Sequence, residues 1–396
     1  ALKSDKSALE FATVDLDTLG AASSTTATQS IYVDKAATGA GTGVDWTNAF
    51  TTIQAAINSL PAIINHAVTI YVRKGSTPYR ETVTVQRVIA AGSVTIRGEY
   101  YHSYEAASNS TANRLVKNAA DDFADVEVGD RVTLIQYSDA FDASYPSGGY
   151  YGTVTNVDNK ASGYVTISMD ASVTPTTGWR YIITKTVIDG SDDGLTPVRD
   201  YCFDIRSPCN INGFSIISPL SFAVYVNPSC TGSVVLTCLN MICGSKNGIS
   251  ITNSTTTHTT LTDFSIIRNN VRQTFGITGY KGSFIISRGV IVGMSYAGHA
   301  GQLNAGQRVT GYVTCIIVKS IAADDGPGIS IGGHSYLELH RSSIYGLNSS
   351  NKLATGIYAW QGSIGVTNLS YIDPTTVTTA KTPANWDATA DGSFIS

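Results

Sequence analysis

Short runs in which apolar and small polar residues alternate return along this chain at a nearly constant interval. Aligned on the glycine of NGISI, one column holds Gly248, Gly276, Gly301, Gly328 and Gly356. A second passes through FSII at Phe214, NMIC at Asn240, FSII at Phe264, VIVG at Val290, CIIV at Cys315, SSIY at Ser342 and LSYI at Leu369. A third passes through Ser233, Thr259, Ser283, Arg308, Tyr336 and Ser363. In each column the step is about 26 residues, and the three columns keep one order. Alternation with a period of two predicts strands. Three strands per repeat without a helix between them predict a coil whose strands pair in parallel with those of the turns before and after, the remainder of each turn serving as the return path. A β-sandwich with regular strands would explain even spacing but not the fixed three-block order. Single-residue slips between columns leave the inward or outward parity of each strand open by one.

The N-terminal part extends the pattern. VTIYV at 68–72, ETVTV at 81–85 and SVTIRG at 93–98 read as the three sides of a first coil. Before them, DWTNAFTTIQAAINSLP sets Phe50, Ile53, Ile57 and Leu60 on one helical face, with Asp45 or Thr47 as N-cap and Pro61 as the stop. An open solenoid end exposes backbone and core, so this helix is expected to plug it. Residues 110–186 break the period and alternate between turn signals, which predicts a small antiparallel module inserted in a loop. The divisions expected are an N-terminal arm at 1–30, capping helix and first coils at 31–109, the insert at 110–186, the solenoid body at 187–373 and a closing segment at 374–396. The opening residues lack the apolar core of a secretion signal and an initiator Met, so the numbering starts inside a longer product or follows processing.

Composition narrows the functional classes. Charged residues make up only 14% and the net charge is -4, so there is no basic stripe of the kind that neutralises phosphates, and nucleic acid is not an expected partner. No apolar run reaches the length of a membrane span, and no membrane insertion is expected. Six cysteines, Cys202, Cys209, Cys230, Cys238, Cys243 and Cys315, lie in strand-like sequence without CxxC spacing. Zinc is not expected; buried small hydrophobes are favoured over disulfides. No metal or cofactor is assigned.

The stretch IYVDKAATGAGTGVDWTNAFTTIQAAINSL followed by VTIYVRKG resembles the opening of right-handed parallel β-helix proteins of the pectate-lyase-like superfamily. DFADVEVGDRVTLI and GYYGTVTNV are similar to small β modules of bacteriophage tail proteins. Together they resemble a phage tailspike or tail fibre, over most of 31–373. The resemblance implies an extracellular virion homotrimer that docks to other tail or baseplate proteins through its N-terminal region and adsorbs to bacterial surface glycan, with glycan-degrading activity left open. A secreted polysaccharide lyase or glycoside hydrolase, and a bacterial surface adhesin, are the alternatives, because one coil hosts many functions. The calcium-binding Asp cluster beside a catalytic Arg or Lys that a lyase of this superfamily would carry cannot be aligned here.

The candidate site residues come from the turns before the glycine column. Asp324 or Asp325 would act as an acid, His299 or Tyr296 as its proton-transfer partner, and Arg272 would hold an anionic sugar, with Lys352 on the same edge. Tyr358 and Trp360 would stack on sugar rings. Against this, AADDGPG reads more simply as a solvated turn whose Asp residues cap local N–H groups. Asp189, Asp192 and Asp193 in IDGSDDG could bind calcium, but their spacing is that of a turn.

Overall fold

The computed structural model describes the chain from Ser24 onward, except 104–112, 118–122, 139–144, 170–174, 176–178, 195, 218, 244–246, 253–257, 269–275, 296–302, 323–326, 332–334, 341, 347–352, 360–363, 369–370, 373–376, 383–393 and 396. Its main body is a parallel β-solenoid of three-sided coils. The first face stacks Gln29–Val33, Ala67–Val72, Ser93–Arg97 and then residues 210–212, 233–237, 258–262, 283–287 and 310–314, ending with Tyr336–His340, Ile364–Asn368 and Phe394–Ile395. The second face stacks Thr186–Asp189 on 214–217, 239–243, 264–268 and the rungs beyond. The third begins with Val83–Val85, Tyr201–Ile205, Phe222–Val226 and Asn247–Thr252. The described residues of the three sequence columns follow these faces: those of the glycine column belong to the third, those of the FSII column to the second and those of the Ser233 column to the first. The expected slips occur, since Phe214 is in register with Leu239 rather than Asn240, and Ser233 with His258 rather than Thr259.

What holds the stack is burial shared between turns. On the first face one inward column reads Ile31, Ile70, Ile96, Ile211, Leu236, Leu261, Ile286, Val313 and Leu339, each in register with the next and all buried. No single turn could cover these side chains, so the core exists only as a pile of turns. On the second face Phe264 is fully buried and in register with Gly289. A Cβ on Gly289 would stand 2.1 Å from the Phe264 ring, so the glycine makes room for the aromatic below it. Gly289→Ala is therefore expected to lower stability by about 1–3 kcal/mol through overpacking, measured as a lower denaturation midpoint.

The turn from first face to second is a single residue in the left-handed region, repeated rung after rung. Gly213 has φ 81°, Cys238 54°, Asp263 54° and Arg288 52°, all at one register position. Each non-glycine residue there costs about 1–2 kcal/mol. Part of that cost is offset at Asp263, whose buried carboxylate accepts 2.7 and 2.6 Å hydrogen bonds from Arg288 in the next rung.

In the first coils this same corner is opened at Gly98, and the inserted module leaves and returns through it. The module's antiparallel sheet orders Tyr100–Ser103, Arg180–Thr184, Arg131–Ser138, Tyr145–Asn156, Tyr164–Met169 and Arg114–Val116, with its own core around Phe123, Leu134, Trp179 and Tyr181. It therefore starts at Tyr100, before the boundary at 110 read from sequence. The first coil also differs from expectation: Ser93–Arg97 is not a third side but pairs with Ala67–Val72 on the first face, one turn later.

The capping helix spans Ile53–Asn58 and buries Ile53, Ala56 and Ile57 against the solenoid core. Its N-cap is Thr52, which accepts from Ala55 N, instead of Asp45 or Thr47. Asp45 Oδ1 accepts from Asn48 N in the loop before the helix, and the first helical N–H groups, of Ile53 and Gln54, donate to the Glu81 carboxylate at 2.8 Å each. Cys202, Cys209, Cys230, Cys238 and Cys243 are buried, as small hydrophobes are. Burial pushes the Cys230 thiol up to about 11, and those of Cys202, Cys209 and Cys238 higher still.

Candidate functional site

Where the module docks, its side chains meet the outward residues of the second face. Ser215, Asn240 and Ser265 occupy one register column, and all three are buried. Thr184 Oγ1 lies 2.6 Å from Ser215 Oγ and accepts from Asn240 Nδ2 at 2.8 Å. Thr133 Oγ1 lies 2.5 Å from Asn240 Oδ1 and 2.9 Å from Ser265 Oγ. This dry polar network fixes the module against the rod, because each buried hydroxyl or amide is satisfied only in this placement.

Beside that contact the two bodies leave a groove of about 950 Å3 at the neck of the insert. Arg73 and Lys74 reach it from just beyond Ala67–Val72, Arg97 from the end of Ser93–Arg97, Glu99 and Lys185 from the two connections that lead into and out of the module, and Asp125 and Glu127 from the module. The cations are held in place before any ligand arrives. The Arg73 guanidinium lies 4.1 Å over the Trp46 ring and donates to Asp34 Oδ2 at 2.8 Å. Trp46 in turn meets Tyr32 edge-on at 4.8 Å, and Tyr32 stacks on Tyr71 at 5.7 Å. Lys74 Nζ donates to Glu127 Oε2 at 2.6 Å and Asp130 Oδ1 at 2.7 Å, while its backbone N–H donates to Glu99 Oε2 at 3.2 Å. Lys185 Nζ is 3.8 Å from Glu99 Oε2. Arg97 is the exposed cation of the set, 5.7 Å over the Tyr100 ring.

Burial alone would lower the Lys74 ammonium, but hydrogen bonds to Asp130 and Glu127 outweigh it and raise its pKa above the ordinary lysine value. The same hydrogen bond holds the Glu127 carboxyl below its usual range; in Asp130 burial prevails over Lys74 and raises it. A lysine raised on folding stabilises fully below its unfolded pKa and loses that contribution as pH rises through the folded one. A carboxyl lowered on folding stabilises above its unfolded pKa and loses the contribution as pH falls through the folded one; the raised Asp130 works in the opposite sense. The Lys74–Glu127 contact thus persists across neutral pH. Fixed guanidinium and ammonium donors interleaved with carboxylate acceptors can exchange hydrogen bonds with hydroxyl groups.

Arg272, Tyr296, His299, Asp324, Asp325, Lys352 and Trp360 lie outside the described residues. Tyr358 falls on Leu353–Ala359 of the third face, in register with Ser330 and Thr382. Asp189, Asp192 and Asp193 belong to a turn: Asp189 accepts from Ser191 N and Oγ, Asp192 pairs with Arg199 at 2.6 Å, and Asp193 accepts from Thr196 N. Among the described residues no group of three or more His, Cys, Asp or Glu is arranged to hold a metal ion, and no helix is long and apolar enough to cross a membrane. The neck groove was missed in the sequence because its residues come from segments far apart in the chain. The usable signal was the pair of charged strand ends flanking the insert, RKG at 73–75 and RGE at 97–99.

No protein-family model matches this chain, and no curated protein matches it by sequence. Among solved structures it is similar to XylC in complex with xylose, at 11% identity over 83% of this chain and 69% of that one, with a TM-score of 0.36. It is similar to the tailspike gp49 from Pseudomonas phage LKA1, at 14% identity over 87% and 74%, TM-score 0.26. A third similarity is to the GH136 lacto-N-biosidase from Eubacterium ramulus, at 7% identity over 93% and 68%, TM-score 0.33. The assignment of the fold rests on the strand register itself.

Proposed function

We propose that this chain is the glycan-binding subunit of a bacteriophage tailspike or tail fibre, and that bacterial surface polysaccharide is held in the neck groove. The observation that carries the reading is the groove itself: pre-positioned Arg73, Lys74, Arg97 and Lys185 beside Glu99, Asp125 and Glu127, walled by a solenoid on one side and an inserted module on the other. The virion context is supported by the resemblance of the insert to small β modules of phage tail proteins, taken together with the β-helix-like opening at 31–75. Attachment to other tail or baseplate proteins through the N-terminal region, a homotrimeric state and an extracellular setting belong to the same proposal. An array of purified bacterial surface polysaccharides tests it. The chain is expected to bind at least one polysaccharide, and Arg97→Ala to weaken that binding about tenfold or more, the loss of a charged hydrogen-bond donor. Absence of binding to every bacterial glycan, or a monomer in sedimentation, counts against it.

One observation favours a second reading, in which the bound glycan is also cleaved. Glu99 and Glu127 are both held by Lys74, one by its backbone N–H and the other by its ammonium, so two carboxylates border one groove as glycoside hydrolysis requires. Under this reading Glu99→Gln abolishes release of oligosaccharides in a reducing-end assay while binding persists.

A further inference from the structure

A second groove, of about 550 Å3, opens at the corner where the third face turns into the first. It is built by three successive turns, through residues 86–89, 206–208 and 229–231. Unlike that of the neck groove, its charged lining among the described residues is wholly basic, consisting of Arg87 and Arg206. Both guanidinium groups are fixed. Arg87 donates to Gln86 O at 2.7 Å and Ile57 O at 2.6 Å, acceptors that carry no net charge, and its Nε is buried without a partner. Arg206 places Nε and Nη2 at 2.8 Å from the single oxygen Oδ2 of Asp204. The two arginines belong to neighbouring turns, since Arg206 N donates to Val85 O and Arg87 N to Ser207 Oγ. Val88, 62% exposed, gives the groove an apolar wall. Paired planar cations beside an apolar wall match a sugar ring that bears a carboxylate or phosphate.

The position of this groove adds to its chemistry. Ser93–Arg97 starts beside it and ends at the neck groove, a distance of roughly 16 Å for its strand at about 3.3 Å per residue. Between the two the outward surface of the first face offers Thr69, Thr95, Asn210 and Asn212, in adjacent turns, with Asn210 Nδ2 3.3 Å from Thr95 Oγ1. We infer that the Arg87–Arg206 corner is a second saccharide subsite, which takes an anionic substituent of a polysaccharide lying across the first face and continuing into the neck groove. The inference rests on the glycan-binding reading for its polymer, but the corner's selectivity for anions stands on its own.

The test uses small probes and so does not require the natural polysaccharide. Isothermal calorimetry on the full chain, at ionic strength held constant with sodium chloride, titrates inorganic phosphate, sodium galacturonate and the neutral methyl galactoside. At least one anion is expected to bind where the neutral sugar does not, and Arg206→Gln to weaken it about tenfold. Lys117→Ala, which removes a charge from the module, is expected to leave that binding unchanged. Galacturonate alone assigns a uronate substituent, and phosphate alone a phosphoryl one. The inference is overturned if neither anion binds, if Arg206→Gln binds as the parent does, or if Lys117→Ala loses as much as Arg206→Gln. A silent polysaccharide array alongside positive anion titrations would remove the polymer reading and keep the anion site.

Discussion

Phe264→Ala is expected to destabilise the solenoid by about 3–5 kcal/mol, the range for emptying a buried aromatic site. The ring is fully buried, and its neighbour one turn on is Gly289, which has no side chain to lean into the space. The cavity therefore cannot be filled from that side. Because turns in a solenoid couple mainly to their neighbours, the damage should be concentrated around 258–268 and 283–292 rather than at the capped end. Chemical denaturation gives the magnitude and native-state hydrogen exchange gives the location. The two positions should also be coupled: Gly289→Ala, damaging alone, should cost much less once Phe264 is alanine, because the clash partner has gone. Additive losses would mean that the ring and the glycine do not share this space.

Asn240→Ala is expected to loosen the inserted module, at a cost on the order of 3 kcal/mol, while leaving the rod intact. The amide is the hub of the docking network, accepting near Thr133 and Ser265 and donating to Thr184. Its removal strands hydroxyls that lie out of reach of water, and each unsatisfied buried group costs about 1–3 kcal/mol. Since the module forms one wall of the neck groove, glycan affinity should fall with it even though Asn240 lies outside the groove lining. Limited proteolysis within the module, compared with protection of the first-face strands, checks the first effect; binding on the array checks the second. Unchanged proteolysis would show that apolar contacts, and not this network, hold the module.

These two residues also show what could be read from the sequence and what could not. The solenoid was legible because its inward positions are chemically uniform: Ile211, Leu236, Leu261 and Ile286 repeat one requirement at one interval. The corner beside them was not, because Gly213, Cys238, Asp263 and Arg288 share a backbone conformation and no side-chain chemistry. Ser215, Asn240 and Ser265 are small polar positions on a column facing away from the solenoid core, and the docked module makes them interior. Ser93–Arg97 was given the wrong face because the first turn is interrupted by the helix before it and the insert after it. The groove residues were invisible for a related reason: Lys74, Arg97, Glu99, Glu127 and Lys185 have no spacing in common, and meet only because the insert leaves and re-enters through one corner.

The proposed function puts the glycan in the neck between solenoid and module. Hydrogen–deuterium exchange on the full chain, with and without a polysaccharide that it binds on the array, tests this. The prediction is ligand-dependent protection at 73–76, 97–100 and 124–128. Protection confined to residues 296–299 and 323–326, with the neck unchanged, would contradict it.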